Sequence, residues 1–243
     1  MRILIGIISV FTFFQCTPEH KEHKPVGKSY GVELDSSRYN VGLLLLPGTY
    51  NTELTAPMDI FQHTIYRDSI KSMNVFTISN TSNLVKTFEG LWIKPDFNYL
   101  ESYPDIDILV IPASEKNMTS DLEDKALLDF IRKTSATAEW VTSHCDGAFL
   151  LAKSGVIEGR WSTTFPGDVD DYIKMFPELE VKKDVLFVRD GKFITSAGGA
   201  KSFEASLYLA EELYGTKVTK RLAQGLVINW DRTKLSYFET NKK

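Results

Sequence analysis

Residues 139–155 read Glu-Trp-Val-Thr-Ser-His-Cys-Asp-Gly-Ala-Phe-Leu-Leu-Ala-Lys-Ser-Gly. The stretch is a short strand running directly into a helix, with Cys145 at the junction. A thiol held on such a sharp turn stands above the sheet and points along the start of the following helix. Unpaired N–H groups and the positive end of the helix dipole favour an anion there, which predicts a cysteine pKa below the usual value of about 8.5. Gly147 carries no side chain that would obstruct a molecule approaching the sulfur. Spacing alone leaves a buried, inert cysteine equally open.

Outward from this elbow, the chain alternates apolar runs with helical periodicity, the pattern of an α/β fold with a mostly parallel sheet. Val41–Leu46 reads as the first strand and ends at Pro47-Gly48. A helix follows, with Thr55 placed to cap, Pro57 in its first turn, and Met58, Phe61 and Ile65 on one face. Val75–Ile78 reads as a strand, and Ile106–Ile111 is a continuous apolar run suited to a strand buried on both faces. Ser120–Glu123 has the form of a capping box before Leu122, Ala126 and Phe130. Val185–Arg189 and Lys192–Thr195 flank an Asp190-Gly191 turn, so part of the sheet is antiparallel. A last helix carries Phe203, Leu207, Ala210 and Tyr214 inward and stops at Gly215.

The 243 residues are 43% hydrophobic and 25% charged, which fits one globular domain. A net charge of −4 with dispersed Lys and Arg gives no support to nucleic-acid binding. No Gly-rich phosphate loop, zinc-spaced Cys/His set or GxSxG is present, so nucleotide, zinc and serine-hydrolase chemistry have no motif behind them. The only other cysteine is Cys16. It follows Arg2 and the apolar run Ile3–Phe14, which is too short to span a bilayer and has the length of an export signal. The expected organisation is therefore a signal at 1–15, a polar tether at 16–40 and one domain at 41–243. His20 and His23 lie in the tether without a further ligand nearby, so no metal is expected.

Four segments carry a resemblance to a known family: HCDGAFLLAKSGVIEGRWSTTFPGDVDDYIKMFP (144–177), FVRDGKFITSAGG (187–199), LLLLPGTYNTELTAPMDIF (43–61) and AQGLVINWD (223–231). Together they resemble the DJ-1/PfpI superfamily, in particular the branch containing isonitrile hydratase and the sensor halves of certain AraC-type regulators. The resemblance implies a flavodoxin-like three-layer sandwich of the class I glutamine amidotransferase type. It implies that Cys145 is the nucleophile and that Glu53, in the turn after the first strand, approaches its thiol. Amides of Ala113, Asp146 and Gly147 would hold developing negative charge, and Gly198-Gly199 would line the pocket. The implied substrate is a small electrophile, an isonitrile or a 2-oxoaldehyde, with water as co-reactant and no cofactor. A homodimer is expected from the family.

The N-terminal segment resembles a bacterial lipoprotein signal, which would make Cys16 the acylated residue and tie the protein to a membrane of the cell envelope. This chain departs from the family pattern at three places. Asp146 follows the cysteine where relatives have His or Thr, and can serve as a base or can weaken the nucleophile. Pro112-Ala113-Ser114 replaces a Gly-Gly pair. His144 precedes the cysteine and, as the last strand residue, should point away from it. The competing reading is a non-catalytic ligand-binding or oxidant-sensing module.

Overall fold

The structure is a computed structural model that describes residues 32–240. Twelve strands occur among them: β1 Tyr39–Leu44, β2 Met73–Ser79, β3 Val85–Lys86, β4 Trp92–Ile93, β5 Phe97–Asn98, β6 Ile108–Ile111, β7 Trp140–His144, β8 Trp161–Ser162, β9 Glu180–Val181, β10 Phe187–Asp190, β11 Phe193–Ser196 and β12 Tyr237–Glu239. The α-helices are α1 Asn51–Gln62, α2 Lys125–Thr137, α3 Gly147–Lys153, α4 Val169–Met175 and α5 Ser202–Gly225. Eight strands form the central sheet in the order β12-β10-β11-β7-β6-β1-β2-β5. Only the β10–β11 hairpin is antiparallel; the other neighbours pair in parallel.

Successive side chains of a strand point to opposite faces, and both faces are covered here. Val41, Leu43, Ile108, Val110 and Ile194 bury one face against α1 and α5. Leu44, Leu109, Ile111, Val141 and Phe193 bury the other against α2, α3 and α4. The result is the expected three-layer flavodoxin-like sandwich. From β1 the chain moves outward on one side to β2 and β5, and on the other to β6 and β7. The carboxyl ends beside that reversal form the crevice where open α/β sheets hold their ligands.

Several local expectations shift by a residue or a turn. Thr55 lies inside α1, its hydroxyl bonding the Asn51 carbonyl, and the helix begins after Tyr50. The box at Ser120–Glu123 is a 3-10 turn; Asp124 caps α2 by accepting from the Ala126 and Leu127 amides. Asp190 pairs with Phe193, so the hairpin turn is Gly191-Lys192. The last helix breaks at Gly215 and then resumes to Gly225. The tether expectation also changes. Val32 and Leu34 pack against the core, and Asn40 donates its N–H to Asp107, so the fold starts before Val41. Residues 1–31, with the expected signal and Cys16, lie outside the described residues; among the described ones no helix is long and apolar enough to cross a membrane.

Candidate active site

Cys145 occupies the turn between β7 and α3 with φ 53, a left-handed conformation rare for a residue with a side chain. Its N–H is anchored to the Ser196 carbonyl at 2.9 Å. The side chain is 8% exposed. The Asp146 N–H donates to the sulfur, and the Glu53 carboxyl shares a hydrogen bond with the thiol. The thiol pKa is raised, against the expectation from the helix terminus. Burial is the main cause, followed by the charges of Glu53 and Asp146; the single amide acting the other way is outweighed.

Glu53 sits in the first turn of α1, 5% exposed. Its Oε2 accepts the Ala113 N–H at 3.0 Å and its Oε1 accepts the Gly199 N–H at 3.1 Å. Burial nevertheless raises its pKa, with the two amides opposing. The hydrogen bond between Glu53 and Cys145 raises the thiol and lowers the carboxyl, so it runs from thiol to carboxylate and joins the two groups into one couple. These bonds correct the expected use of Ala113 and Gly199: both amides hold the Glu53 carboxylate rather than standing open for a substrate oxyanion. The loop after β6 can do this because Tyr50 N–H donates to the Ala113 carbonyl and Asn117 accepts from the Ser114 amide, fixing both loops.

The two other glycines serve close packing. A Cβ on Gly147 would sit 2.2 Å from the Ile111 carbonyl oxygen, so this residue lets α3 approach β6 rather than clearing a path to the sulfur. A Cβ on Gly198 would sit 2.3 Å from the Cβ of Cys145. Gly198 is thus the floor under the elbow.

Asp146 is half-buried beside the thiol. Its Oδ1 and the Cys145 carbonyl both lie 3.1 Å from the buried Thr164 hydroxyl. Its pKa is raised to about 7, first by burial and then by the Asp168 charge. Neither Thr164 nor Asp168 is legible from sequence as a site residue. Asp168 stands directly before a helix, the ordinary place of a capping aspartate. His144 is fully buried, with Nδ1 3.0 Å from the Ser196 hydroxyl. Burial drops its pKa to about 3, so it is a neutral packing group at ordinary pH. Tyr50, its ring tilted against that of Phe88 with centroids 4.7 Å apart, forms one rim. A separate cleft of about 460 Å³, between Glu211, Lys220, Trp230 and Arg232, involves none of these residues.

A cysteine on a strained strand-to-helix elbow, with a buried carboxyl beside it, places the chain in a class of α/β proteins that hold one thiol at the carboxyl end of the sheet. Residues 40–212 match the DJ-1/PfpI family, and the chain belongs to it. Isonitrile hydratase of Pseudomonas putida is 31% identical over 184 residues, covering 76% of this chain and 75% of that protein. An HTH-type transcriptional regulator of Pseudomonas aeruginosa is 29% identical over 103 residues, 42% of this chain and 30% of its own length. The crystal structure of Drosophila melanogaster DJ-1beta superimposes with a TM-score of 0.68 at 23% identity, covering 79% of this chain and 100% of the other; it shows the fold alone.

Proposed function

We propose that this protein is a cofactor-free enzyme that uses Cys145 to attack a small electrophilic carbon, with water as the second reactant. The observation that carries the reading is the sulfur's surroundings: a strained elbow, an amide donor from Asp146, and a carboxyl that can take the thiol proton. For an isonitrile, Sγ bonds to the terminal carbon and the proton of the Cys145–Glu53 couple ends on that carbon, giving a thioimidate. Water then adds to this carbon, the C–S bond breaks, and the net change is R–N≡C plus water to R–NH–CHO. A 2-oxoaldehyde would instead give the 2-hydroxy acid through a hemithioacetal. The likeness to isonitrile hydratase supports the first substrate class.

The test is turnover of cyclohexyl isocyanide and methylglyoxal by the full chain and by Cys145→Ser. Loss of all turnover in the variant supports the reading; an inert wild type overturns it. One observation favours a binding or sensing module: the thiol is held above its ordinary pKa. An inert protein whose Cys145 alkylates only above about pH 8.5 would fit that module. Export through a lipid on Cys16 remains part of the proposal, checked by the mass of the mature N-terminus.

A further inference from the structure

We propose that Glu89, at the tip of the β3–β4 hairpin, is a positioning residue of the active site: it caps α1 from outside and so fixes the helix turn that carries Glu53. The inference deepens the enzymatic reading above and rests on it. A helix leaves its first N–H groups without partners of its own, and a side chain at the N-cap usually takes one of them. The N-cap of α1 is Tyr50, whose side chain makes no capping bond. The N–H of Asn51, first in the helix, instead donates to Glu89 Oε2 at 2.9 Å, across 38 positions of the chain. A carboxylate there also suits the positive end of the helix dipole.

The hairpin is built to hold this contact. Val85 and Thr87 bury its base. The Thr87 N–H donates to the Leu91 carbonyl at 2.8 Å and the Leu91 N–H to the Thr87 hydroxyl at 2.9 Å, closing a tight turn around Glu89 in which Gly90 has φ 96. Two backbone bonds dock that turn on the loop after β1: Gly48 N–H to the Lys86 carbonyl at 2.9 Å, and Phe88 N–H to the Thr49 carbonyl at 3.0 Å. Residues 48–51 are thus gripped by the hairpin on one side and by the Ala113 carbonyl, which accepts the Tyr50 N–H at 3.0 Å, on the other.

Glu53 lies two residues beyond Asn51, in the same turn. The amides of Ala113 and Gly199 hold its carboxyl end, but its Cα moves with the helix. Both ends must be fixed for the carboxylate to stay against the thiol, and a misplacement of about 1 Å costs up to about 100-fold in rate. Glu89 acts through α1 and not on the reacting atoms. The ionisable groups facing Glu53 are Cys145 and Asp146 at the elbow, Tyr50 at the N-cap and Glu89 on the hairpin; those facing Cys145 are Glu53, Asp146 and Tyr50. Glu53 raises the thiol pKa both by its charge and by its hydrogen bond. Loosening the first turn of α1 therefore lets the thiol pKa fall.

The experiment uses the full chain, with cyclohexyl isocyanide and methylglyoxal as turnover probes and iodoacetamide as the probe of Cys145, and compares wild type with Glu89→Ala and Glu89→Gln. Gln keeps an acceptor oxygen for the Asn51 N–H and drops the charge, whereas Ala drops both. Glu89→Ala should lower kcat about 10-fold and leave KM within about twofold, the mark of an interaction needed only in the transition state. Its alkylation profile should move to lower pH. Glu89→Gln should keep at least about half of the wild-type kcat and the wild-type alkylation profile, because the cap remains. A Glu89→Ala that overlays wild type in both readouts, or that changes KM alone, overturns the proposal. Glu89→Gln as impaired as Glu89→Ala would assign the effect to charge and overturn the cap. Loss of the cooperative urea transition in Glu89→Ala would show a general structural role and also overturn it. A wild type inert toward both turnover probes overturns the enzymatic reading by itself, and the alkylation profiles then still decide whether Glu89 holds Glu53 against the thiol.

Discussion

Replacing Gly198 by Ala should damage this protein far more than the same change one residue later. Gly198 has φ 78 and ψ −158, a backbone region essentially reserved for glycine, and occupying it with alanine costs about 1–3 kcal/mol. The added Cβ would lie 2.3 Å from Cys145 Cβ, 2.6 Å from its N and 2.8 Å from its Cα. None of these atoms is the end of a flexible side chain. Pushing the elbow aside adds about 1–3 kcal/mol of overpacking, for a total of about 2–6. Gly199 also has positive φ, 55, but a Cβ there meets no atom within 4 Å. Its alanine variant bears only the left-handed penalty of about 1–2 kcal/mol. Urea unfolding followed by Trp fluorescence measures both. With a slope of about 2–3 kcal/mol per molar, Gly198→Ala should lower the midpoint by about 1–2 M and Gly199→Ala by about 0.5 M. Equal shifts, or a loss under about 1 kcal/mol at Gly198, would refute the claim that this glycine is the floor of the Cys145 elbow.

Glu53→Gln must present an amide NH₂ to one of two N–H donors, from Ala113 or Gly199. The variant should lose about 1–3 kcal/mol in chemical denaturation, and turnover should fall about 10²- to 10⁴-fold for want of a base. His144 has a folded pKa of about 3, below its unfolded value of 6.5. A depressed His pKa means that the unfolded chain binds the extra proton. Stability from this group is therefore complete above pH 6.5 and drains as pH falls toward 3, by up to about 1.4 kcal/mol per pH unit. His144→Asn should show a stability–pH slope shallower by one proton across that window. Asp146 is the reverse case, its folded pKa raised to about 7 from 3.8. Its contribution is complete below pH 3.8 and lost as pH rises through 7, so Asp146→Asn should gain on wild type over that range. Full conversion would be about 4 kcal/mol, and solvent screening of this half-exposed group reduces the expected gain to about 1–2 kcal/mol at pH 8. Thermal melts at pH 5 and pH 8 check it.

The layers of the fold were legible because burial on both faces of a parallel sheet forces continuous apolar strands, as in Ile108–Ile111, and capped helices between them. Cys145 was legible because it sits in a local motif, the elbow, whereas Glu53 was singled out only by the family resemblance, since a carboxylate in the turn after β1 reads by itself as solvated. The readings that failed depend on contacts between distant segments. Ala113 and Glu53 are 60 residues apart, so no local pattern tells that the amide is bound to the carboxylate rather than open. Thr55 and Ser120 fit capping rules, yet the helices start where loop anchors allow, after Tyr50 and Asp124. Asp168 hid behind a local rule, since an aspartate before a helix reads as a cap, and only the fold brings it to Asp146, 22 positions earlier. The thiol pKa had the wrong sign because the helix-terminus argument considers one neighbour, whereas burial and two carboxylates act together.

That electrostatic balance also bears on which electrophiles the site can accept. Cys145, Glu53, Asp146 and Asp168 would carry four negative charges if fully ionised. The leading influences on Cys145 and Asp146 are burial and neighbouring carboxylates. An added anion at about 6 Å from one such charge, with an effective dielectric near 20, is disfavoured by about 3 kcal/mol. Neutral methylglyoxal and anionic glyoxylate present the same aldehyde carbon to the sulfur but differ in this charge. Methylglyoxal should therefore be preferred about 100-fold in kcat/KM at low ionic strength. The preference should narrow as salt screens whatever part of the repulsion reaches solvent. Comparable kcat/KM values for the two aldehydes would mean that a cation enters the site or that the carboxyls there are neutral when substrate binds. Either result would remove the electrostatic basis for a preference for neutral substrates.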